Sequence, residues 1–272
     1  MASLSSTIDA STSPPQRTKV FCFFFPKKKI LALTLLLPLL TAQAQAQPRS
    51  GYDDAGPGSR GMQDDDTANP AFLWVRQGEA LWSTPTGTAG KACADCHTTL
   101  AGAAARAPAY DPTLGRPVTL TQRINLCRTR HQGAAALTSE SSELLALSAL
   151  VGLQSRGLPV APDPAARAWA QAGEAVFRLR QGQLNLSCAQ CHDDLAGGRL
   201  GGTPIPQGQA NGYPIYRLEW QAMGSLHRRL RACLTGVRAE PYPADSPELL
   251  ALETYLARRA AGLRVETPAV RP

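Results

Sequence analysis

The sequence predicts a mainly α protein built as a tandem repeat of one small domain. The tripeptide Gly-Glu-Ala at residues 78–80 returns at residues 173–175, and the pentapeptide Glu-Leu-Leu-Ala-Leu at residues 143–147 returns at residues 248–252. Self-similarity at a nearly fixed spacing is typical of duplicated structural units. Apolar residues within each copy recur at helical spacing, which favours helices over strands.

Each copy contains the same order of predicted elements: a helix, a cysteine motif, a loop rich in glycine and proline, a short helix and a last helix. The predicted helices cover residues 69–81, 119–130 and 139–153 in the first copy, and residues 165–177, 222–235 and 246–259 in the second. Residues 159–164 contain three prolines and form the linker, and Asp163 can cap the next helix. The domains are expected at residues 67–160 and 161–272. An extra loop in the second copy, at residues 201–216, is expected to shape an entrance or a partner surface.

Residues 1–46 have the organisation of a secretory signal peptide. Three lysines precede an eleven-residue apolar run at residues 30–40, and alternating alanines follow as far as Ala46. The run is too short to span a bilayer and Pro38 interrupts it, which opposes the alternative of an uncleaved anchor. We expect cleavage near Ala46, a flexible segment over residues 47–66, and a periplasmic protein without a stable membrane anchor.

The net charge of +7 does not indicate a nucleic-acid partner. Residues 1–46 hold five basic residues and one acidic residue, so removal of this segment leaves a net charge of about +3. No cluster of lysine and arginine interleaved with aromatic residues remains, and such a cluster is the usual footprint of nucleic-acid binding. We therefore expect no nucleic-acid partner.

Six of the seven cysteines lie beyond the signal segment, and four of the six form two Cys-x-x-Cys-His motifs. This motif attaches c-type haem, because two thiols one helical turn apart reach the two vinyl groups and the histidine becomes the proximal iron ligand. A redox dithiol would explain one motif alone, and zinc would require further ligands at zinc-ribbon spacing. Two covalently bound haem c groups are therefore predicted. Their attachment and proximal residues are Cys93, Cys96 and His97 in the first copy and Cys188, Cys191 and His192 in the second.

The two remaining cysteines, Cys127 and Cys233, occupy the same place after the motif of each copy. Each follows an arginine by four residues, Arg123 or Arg229, so on a helix the arginine and the cysteine share one face. This repetition favours each cysteine as the distal ligand of the haem in its own copy. The alternative is a disulfide between them, which an exported protein would permit.

Other side chains compete for the distal positions. Methionine is a common distal ligand of cytochromes c, but Met62 precedes the first motif and Met223 has no counterpart in the first copy. His131 follows Cys127 by four residues and is an alternative in the first copy only. His227 is expected to be a surface residue.

Each copy resembles the class I cytochrome c pattern, in which a helix precedes the haem motif and an irregular loop and a closing helix follow it. Two class I cytochrome c-like domains are therefore expected. Two such modules, each with a later cysteine ligand, are similar to the A subunit of the SoxAX cytochromes in its dihaem form. The resemblance covers roughly residues 67–265. It is densest at residues 122–127, 229–233 and 238–242.

This resemblance implies an L-cysteine S-thiosulfotransferase that joins thiosulfate oxidatively to a cysteine of SoxY, within the carrier SoxYZ. Two electrons would leave through haem to an acceptor cytochrome c, and the partner subunit would be the monohaem cytochrome c SoxX. Carried over residue by residue, Cys233 is both the distal ligand of the second haem and the catalytic cysteine, modified to a persulfide during turnover. Arg229 becomes the substrate-binding residue, and Cys127 is only the distal ligand of the first haem.

The residues themselves are compatible with this chemistry but do not separate the two copies. Thiosulfate is a dianion, and a guanidinium one turn from the reacting sulfur can hold it through paired hydrogen bonds. Arg228, Arg231 and Arg238 would add positive potential, or would form a solvated basic face. Arg123 precedes Cys127 in the same way, so the arginine–cysteine pair alone does not identify the catalytic copy. The alternative functions are a dihaem electron carrier without a substrate of its own and a thiosulfate dehydrogenase that forms tetrathionate.

Overall fold

The computed structural model describes residues 47–272, so the predicted signal peptide lies outside the described residues. The α-helices are α1 (Pro57–Asp64), α2 (Phe72–Ser83), α3 (Leu120–Cys127), α4 (Ser142–Leu153), α5 (Arg167–Arg178), α6 (Leu226–Gly236) and α7 (Pro247–Arg259). The strands are β1 (Ala109–Asp111), β2 (Arg116–Val118), β3 (Arg199–Leu200), β4 (Thr203–Pro204), β5 (Ile215–Arg217), β6 (Ala222–Gly224) and β7 (Ala269–Arg271). In this part of the chain, no helix is both long and apolar enough to cross a membrane.

Each copy is organised around two helices that cross at a glycine. Helix α2 packs on α4 in the first copy, and α5 packs on α7 in the second. A Cβ atom at Gly78 would lie 2.9 Å from the carbonyl carbon of Ala146. One at Gly173 would lie 2.8 Å from the Cβ atom of Tyr255. Neither site has room for a side chain in a close-packed interior, so the repeated Gly-Glu-Ala tripeptide marks the crossing point of the helices.

The apolar core of the first copy includes residues of the second. Val75 and Leu145 of the first helix pair pack with Met223 of β6 and Val270 of β7. These strands belong to a three-stranded sheet of order β6-β5-β7, in which β5 and β7 are parallel. The second copy has a further core centred on Phe177. The two copies therefore share buried surface and belong to one compact unit.

A β-hairpin precedes the short helix in both copies and explains the one clear shift among the predicted helices. Strand β1 pairs with β2, and β5 with β6, both antiparallel. Because residues 222–224 form β6, α6 begins at Leu226 and not at residue 222 as predicted. The Ser225 hydroxyl caps α6 by accepting a hydrogen bond from the Arg228 amide at 3.1 Å, and Thr119 caps α3 in the same way.

The segment over residues 47–66, which the sequence predicts to be flexible, contains α1 and packs against the C-terminal strand. Ala55 and Ser59 in this segment are buried. The side-chain oxygen of Gln63 accepts a hydrogen bond from the Val270 amide at 3.1 Å. Because β7 is an edge strand, its outward amides need partners of this kind, and composition alone does not reveal that need.

Candidate functional site

The histidine of the second motif is held in one orientation by the extra loop of the second copy. Nδ1 of His192 lies 2.7 Å from the carbonyl oxygen of Pro206. A carbonyl oxygen only accepts, so Nδ1 carries the proton and Nε2 keeps the lone pair that can bind iron. A Cβ atom at Gly208 would lie 3.1 Å from Cγ of His192, so glycine leaves room for the ring. The loop that was expected to shape an entrance thus orients the proposed proximal ligand.

Arg259 links the residue after this histidine to the extra loop. Its Nη2 atom lies 2.8 Å from Oδ1 of Asp193, the residue after His192, and donates to the carbonyl oxygen of Gln207 at 3.1 Å. Burial lowers the pKa of His192, and the positive charges of Arg229 and Arg259 lower it further. Neutral imidazole is the form that binds a metal, so this environment suits an iron ligand.

The first motif begins with the same kind of hydrogen bond as the second motif, but its side chains are more exposed to solvent. Oδ2 of Asp95 accepts a hydrogen bond from the Ala92 amide at 2.8 Å, and the second motif begins with an equivalent bond. The ring of His97 lies 6.1 Å from the ring of Trp82, and Cys96 is exposed. Both motifs present two thiols and a histidine, the donor set that covalent attachment of haem c requires.

Each later cysteine lies beside the motif of its own copy. Burial raises the pKa of Cys127 against the opposing charge of Arg123, and the nearby sulfur of Cys96 adds to the rise. Burial raises the pKa of Cys188 to about 11, and the nearby Cys233 adds to that rise. Cys127 and Cys233 are both free thiols in the structure. The alternative of a disulfide between them therefore finds no support.

The other candidate distal ligands lie elsewhere. Met223 is 1% exposed and belongs to the core cluster of the first copy, and His131 is exposed. The prediction that His227 is a surface residue is wrong. His227 is buried, and its Nε2 atom lies 2.8 Å from Oε2 of Glu253, because this face of α6 turns towards α7.

Arg229 and Cys233 share one small region of the second copy. Burial raises the pKa of Tyr213 to about 12, the charge of Arg229 opposes this rise, and Cys233 adds to it. The charge of Arg229 also lowers the pKa of His192. Within residues 47–272, the Arg229 guanidinium has no hydrogen bond and no ion pair. It is therefore available to an anionic ligand.

The corresponding arginine of the first copy is paired with a carboxylate. Nη1 of Arg123 lies 2.9 Å from Oδ2 of Asp111. Burial would raise the pKa of Asp111, but hydrogen bonds from the Leu114 amide and the Arg123 guanidinium hold it below its ordinary value. Asp111 therefore stays ionised at neutral pH and neutralises Arg123. The arginine–cysteine pairs, which are alike in sequence, differ in charge environment.

Sequence reasoning missed Arg217, which stands in the second copy where Asp111 stands in the first. Each is the last residue of the strand that opens the hairpin, β1 or β5. Burial lowers the pKa of Arg217, and the charge of Arg229 lowers it further. The signal was present in the repeat, because Asp111 precedes Cys127 by as many residues as Arg217 precedes Cys233.

The three further arginines of the second copy are not equivalent. The Arg228 guanidinium stacks over the ring of Trp220, 4.2 Å from its centroid. Arg231 and Arg238 are exposed. Arg228 thus packs on an aromatic side chain, and the other two form solvated surface.

The family comparison agrees with both copies of the repeat. The SoxA/TsdA cytochrome c domain matches residues 77–160 and again residues 172–265. The L-cysteine S-thiosulfotransferase subunit SoxA of Pseudaminobacter salicylatoxidans is 40% identical over 220 residues, which are 78% of this chain and 77% of that protein. The subunit of the same name from Rhodovulum sulfidophilum is 38% identical over 230 residues, covering 82% of this chain and 80% of that protein.

A solved structure is similar over nearly the same length. The crystal structure of SoxXA from P. pantotrophus matches with a TM-score of 0.79 and 34% identity, covering 83% of this chain and 87% of that chain. The predicted fold of two cytochrome c-like domains is confirmed, and a cytochrome c domain of this kind carries covalently bound haem c. The resemblance to the A subunit of the SoxAX cytochromes is also confirmed, and the chain belongs to the SoxA family.

Proposed function

We propose that this chain is a subunit of an L-cysteine S-thiosulfotransferase, which joins thiosulfate oxidatively to a cysteine of SoxY in the carrier SoxYZ. The observation that carries this proposal is Arg229, a guanidinium with no acidic partner among residues 47–272, one helical turn before the free thiol of Cys233. A dianionic substrate that reacts through sulfur needs both groups within reach of each other. Proteins named for this activity are 38–40% identical to the chain, which supports the same conclusion.

The reaction forms one sulfur–sulfur bond, between the outer sulfur of thiosulfate and the carrier thiol. The S–H bond of the thiol breaks and its proton goes to water or a base. Two electrons leave the pair of sulfur atoms, and the product is a cysteine S-thiosulfonate. Bound haem c supplies one-electron acceptance, through which the two electrons pass in turn to an acceptor cytochrome c.

Two side chains of the second copy carry the chemistry in this proposal. Arg229 binds the sulfonate oxygens of thiosulfate, because its planar guanidinium can donate two parallel hydrogen bonds to such a group. Cys233 is the reacting sulfur of the chain: its thiol joins the outer sulfur of thiosulfate as one proton and two electrons leave, and the carrier thiol then takes over the thiosulfonate group and returns Cys233 to the thiol. A persulfide on Cys233 would form when water removes the sulfonate of this adduct as sulfate. Cys233 lies in the last turns of α6 and is a half-buried free thiol.

The same proposal assigns two haem c groups, one to each copy. The placement of each later cysteine beside its own motif supports one distal sulfur ligand per haem. Domain 67–160 then serves as an electron relay, and domain 161–272 is catalytic. The covalent attachment sites are Cys93, Cys96, Cys188 and Cys191, the proximal ligands are His97 and His192, and the distal ligands are Cys127 and Cys233.

We propose the monohaem cytochrome c SoxX as the partner subunit, since the similar crystal structure is that of a SoxXA complex. The basic flank, the short apolar run and the alanine-rich stretch before Ala46 support export to the periplasm with cleavage near that residue. The carrier SoxYZ and the acceptor cytochrome c would meet the complex in that compartment.

The test compares two serine variants in the haem-loaded complex with SoxX. Cys233→Ser and Cys127→Ser each remove one late cysteine and are matched in size and chemistry. With thiosulfate, SoxYZ and acceptor cytochrome c, intact-mass measurement of SoxY reports the conjugated product. We expect Cys233→Ser to abolish the thiosulfonate adduct while haem absorbance is retained. Cys127→Ser should keep measurable conjugation, because it affects only the relay.

Three outcomes would contradict this function. Full conjugation by Cys233→Ser would remove Cys233 from the reaction. Free tetrathionate without a carrier adduct would identify a thiosulfate dehydrogenase. A histidine–methionine signal from the second haem in electron paramagnetic resonance, without any turnover of thiosulfate, would identify a dihaem electron carrier.

A further inference from the structure

The two copies carry opposite charges at the position that faces the arginine of the arginine–cysteine pair. In the first copy Asp111 reaches Arg123 at 2.9 Å from the end of β1. In the second copy the end of the equivalent strand carries Arg217. The strand, its hairpin partner and the following helix are arranged alike in both copies, so the substitution changes charge and not architecture.

The aspartate of the first copy also has a local structural role that the arginine cannot fill. Oδ1 of Asp111 accepts hydrogen bonds from the amides of Thr113 and Leu114 at 2.9 and 3.1 Å, which closes the hairpin turn. A guanidinium has no acceptor and leaves such amides to other partners. The second copy therefore gives up a stabilising turn interaction at Arg217, which indicates that the positive charge serves another purpose.

Several contacts fix the Arg217 side chain, but they do not involve every nitrogen of its guanidinium. Its side chain is 11% exposed, and Nη2 lies 2.7 Å from the mainly exposed carboxylate of Glu219. Nε donates to the Pro272 oxygen at 2.7 Å, and the guanidinium lies 5.3 Å from the centroid of the Trp220 ring. Within residues 47–272, Nη1 has no hydrogen-bond partner. A fixed guanidinium with a free nitrogen is preorganised to bind an anion.

Arg217 ends β5 at the position from which Asp111, at the end of β1, contacts the arginine of the first copy. Burial lowers the pKa of Arg217, and the positive charge of Arg229 lowers it further. Glu219 and the Pro272 oxygen offset part of the charge of Arg217, and a bound dianion would offset the repulsion between the two guanidinium groups that remains. In the first copy, Asp111 neutralises the charge of the equivalent arginine, Arg123.

We infer that Arg217 is a second substrate-binding residue, which together with Arg229 forms a two-guanidinium site for the sulfonate end of thiosulfate. This inference rests on the proposed function and adds to it. A sulfonate has three oxygens, so Arg229 can take two through its fork and Nη1 of Arg217 can take the third. The outer sulfur is then the end left for Cys233. Asp111 makes the first copy unable to bind the same anion.

The test measures equilibrium binding of radiolabelled thiosulfate to the haem-loaded complex with SoxX, alongside KM and kcat for carrier conjugation. Arg217→Gln should weaken binding by about 10- to 100-fold, the value of a hydrogen bond to a charged group. KM should rise by the same factor with kcat nearly unchanged, as expected for lost substrate binding. Arg231→Gln is the matched control, since it removes an equal charge from an exposed position, and it should change binding by less than about 2-fold.

A second variant separates a binding role from a folding role. Arg217→Lys keeps the positive charge and loses the fork, so it should bind thiosulfate with an affinity between those of the wild type and Arg217→Gln. Haem absorbance and thermal unfolding report whether each variant folds.

Two results would overturn the inference. In the first, the Arg217→Gln variant binds thiosulfate with the same affinity as the Arg231→Gln control. The other is a changed haem potential with unchanged thiosulfate affinity, which would assign the guanidinium to a haem propionate. Failure of the proposed function is a separate result, in which the wild-type complex binds thiosulfate but forms no carrier adduct.

Discussion

The two copies of the repeat have the same arrangement of helices and hairpin, but different charges surround their arginine–cysteine pairs. In both, two long helices cross at a glycine, a hairpin leads into a capped short helix, and a cysteine follows an arginine by one turn. In the first copy Asp111 neutralises Arg123, whereas in the second Arg217 stands beside Arg229. This single difference between the copies is the basis of our proposal that only the second copy binds an anion.

The copies also differ in how the histidine of the motif is held. The extra loop of the second copy provides Pro206 as hydrogen-bond acceptor and Gly208 as space for the His192 ring. Arg259 links this loop to the Asp193 side chain, next to His192. The first copy is shorter in this region, and His97 packs against Trp82 instead. A second copy with a fixed histidine and free positive charge suits catalysis, and a first copy with internal ion pairing suits electron relay.

The largest effect that separates the copies is expected at the two equivalent arginines. Arg229→Lys should lower kcat/KM for thiosulfate by about 10- to 100-fold, because lysine keeps the charge but loses the planar fork. Arg123→Lys should change it by less than about 3-fold, since Arg123 pairs with Asp111 and has no part in the proposed substrate site. Steady-state kinetics with SoxYZ and varied thiosulfate measure both values. Equal losses for the two variants would remove the distinction between the copies.

An effect on stability should appear at the crossing glycines, and it should be alike in both copies. Gly78→Ala and Gly173→Ala each place a methyl group against the backbone or side chains of the facing helix. Overpacking of this kind should lower the free energy of unfolding by about 1–3 kcal/mol in each case. Denaturant unfolding of the haem-loaded protein measures the change. A stabilising or neutral effect at either glycine would show that the two helix pairs are not equivalent.

Local sequence signals predicted the features that both copies share. Helical periodicity located the long helices, and the Cys-x-x-Cys-His spacing predicted the attachment residues, which stay a prediction. The position of Cys127 and Cys233 within the repeat predicted that each belongs to its own motif, and in the structure Cys96 raises the pKa of Cys127 and Cys233 raises that of Cys188. These features depend on residues within one element or one turn, which sequence spacing describes well.

Features that depend on contacts between distant segments could not be predicted in the same way. Burial of His227 results from α7 packing on its helix face, and burial of Met223 results from the second copy's sheet covering the first copy's core. The helix within residues 47–66 depends on an edge strand at the other end of the chain. Arg217 could have been predicted from the sequence, but only by aligning the two copies of the repeat residue by residue.

The central claim is that sulfur chemistry takes place at Cys233 and not at Cys127. Tryptic digestion separates the two, because cleavage after arginine gives a peptide of residues 232–238 and a peptide of residues 124–128. After turnover with thiosulfate, mass spectrometry without reductant should find additional sulfur on the peptide 232–238, removable by reductant, and none on the peptide 124–128. Additional sulfur on the peptide 124–128, or equal amounts on both, would contradict the account.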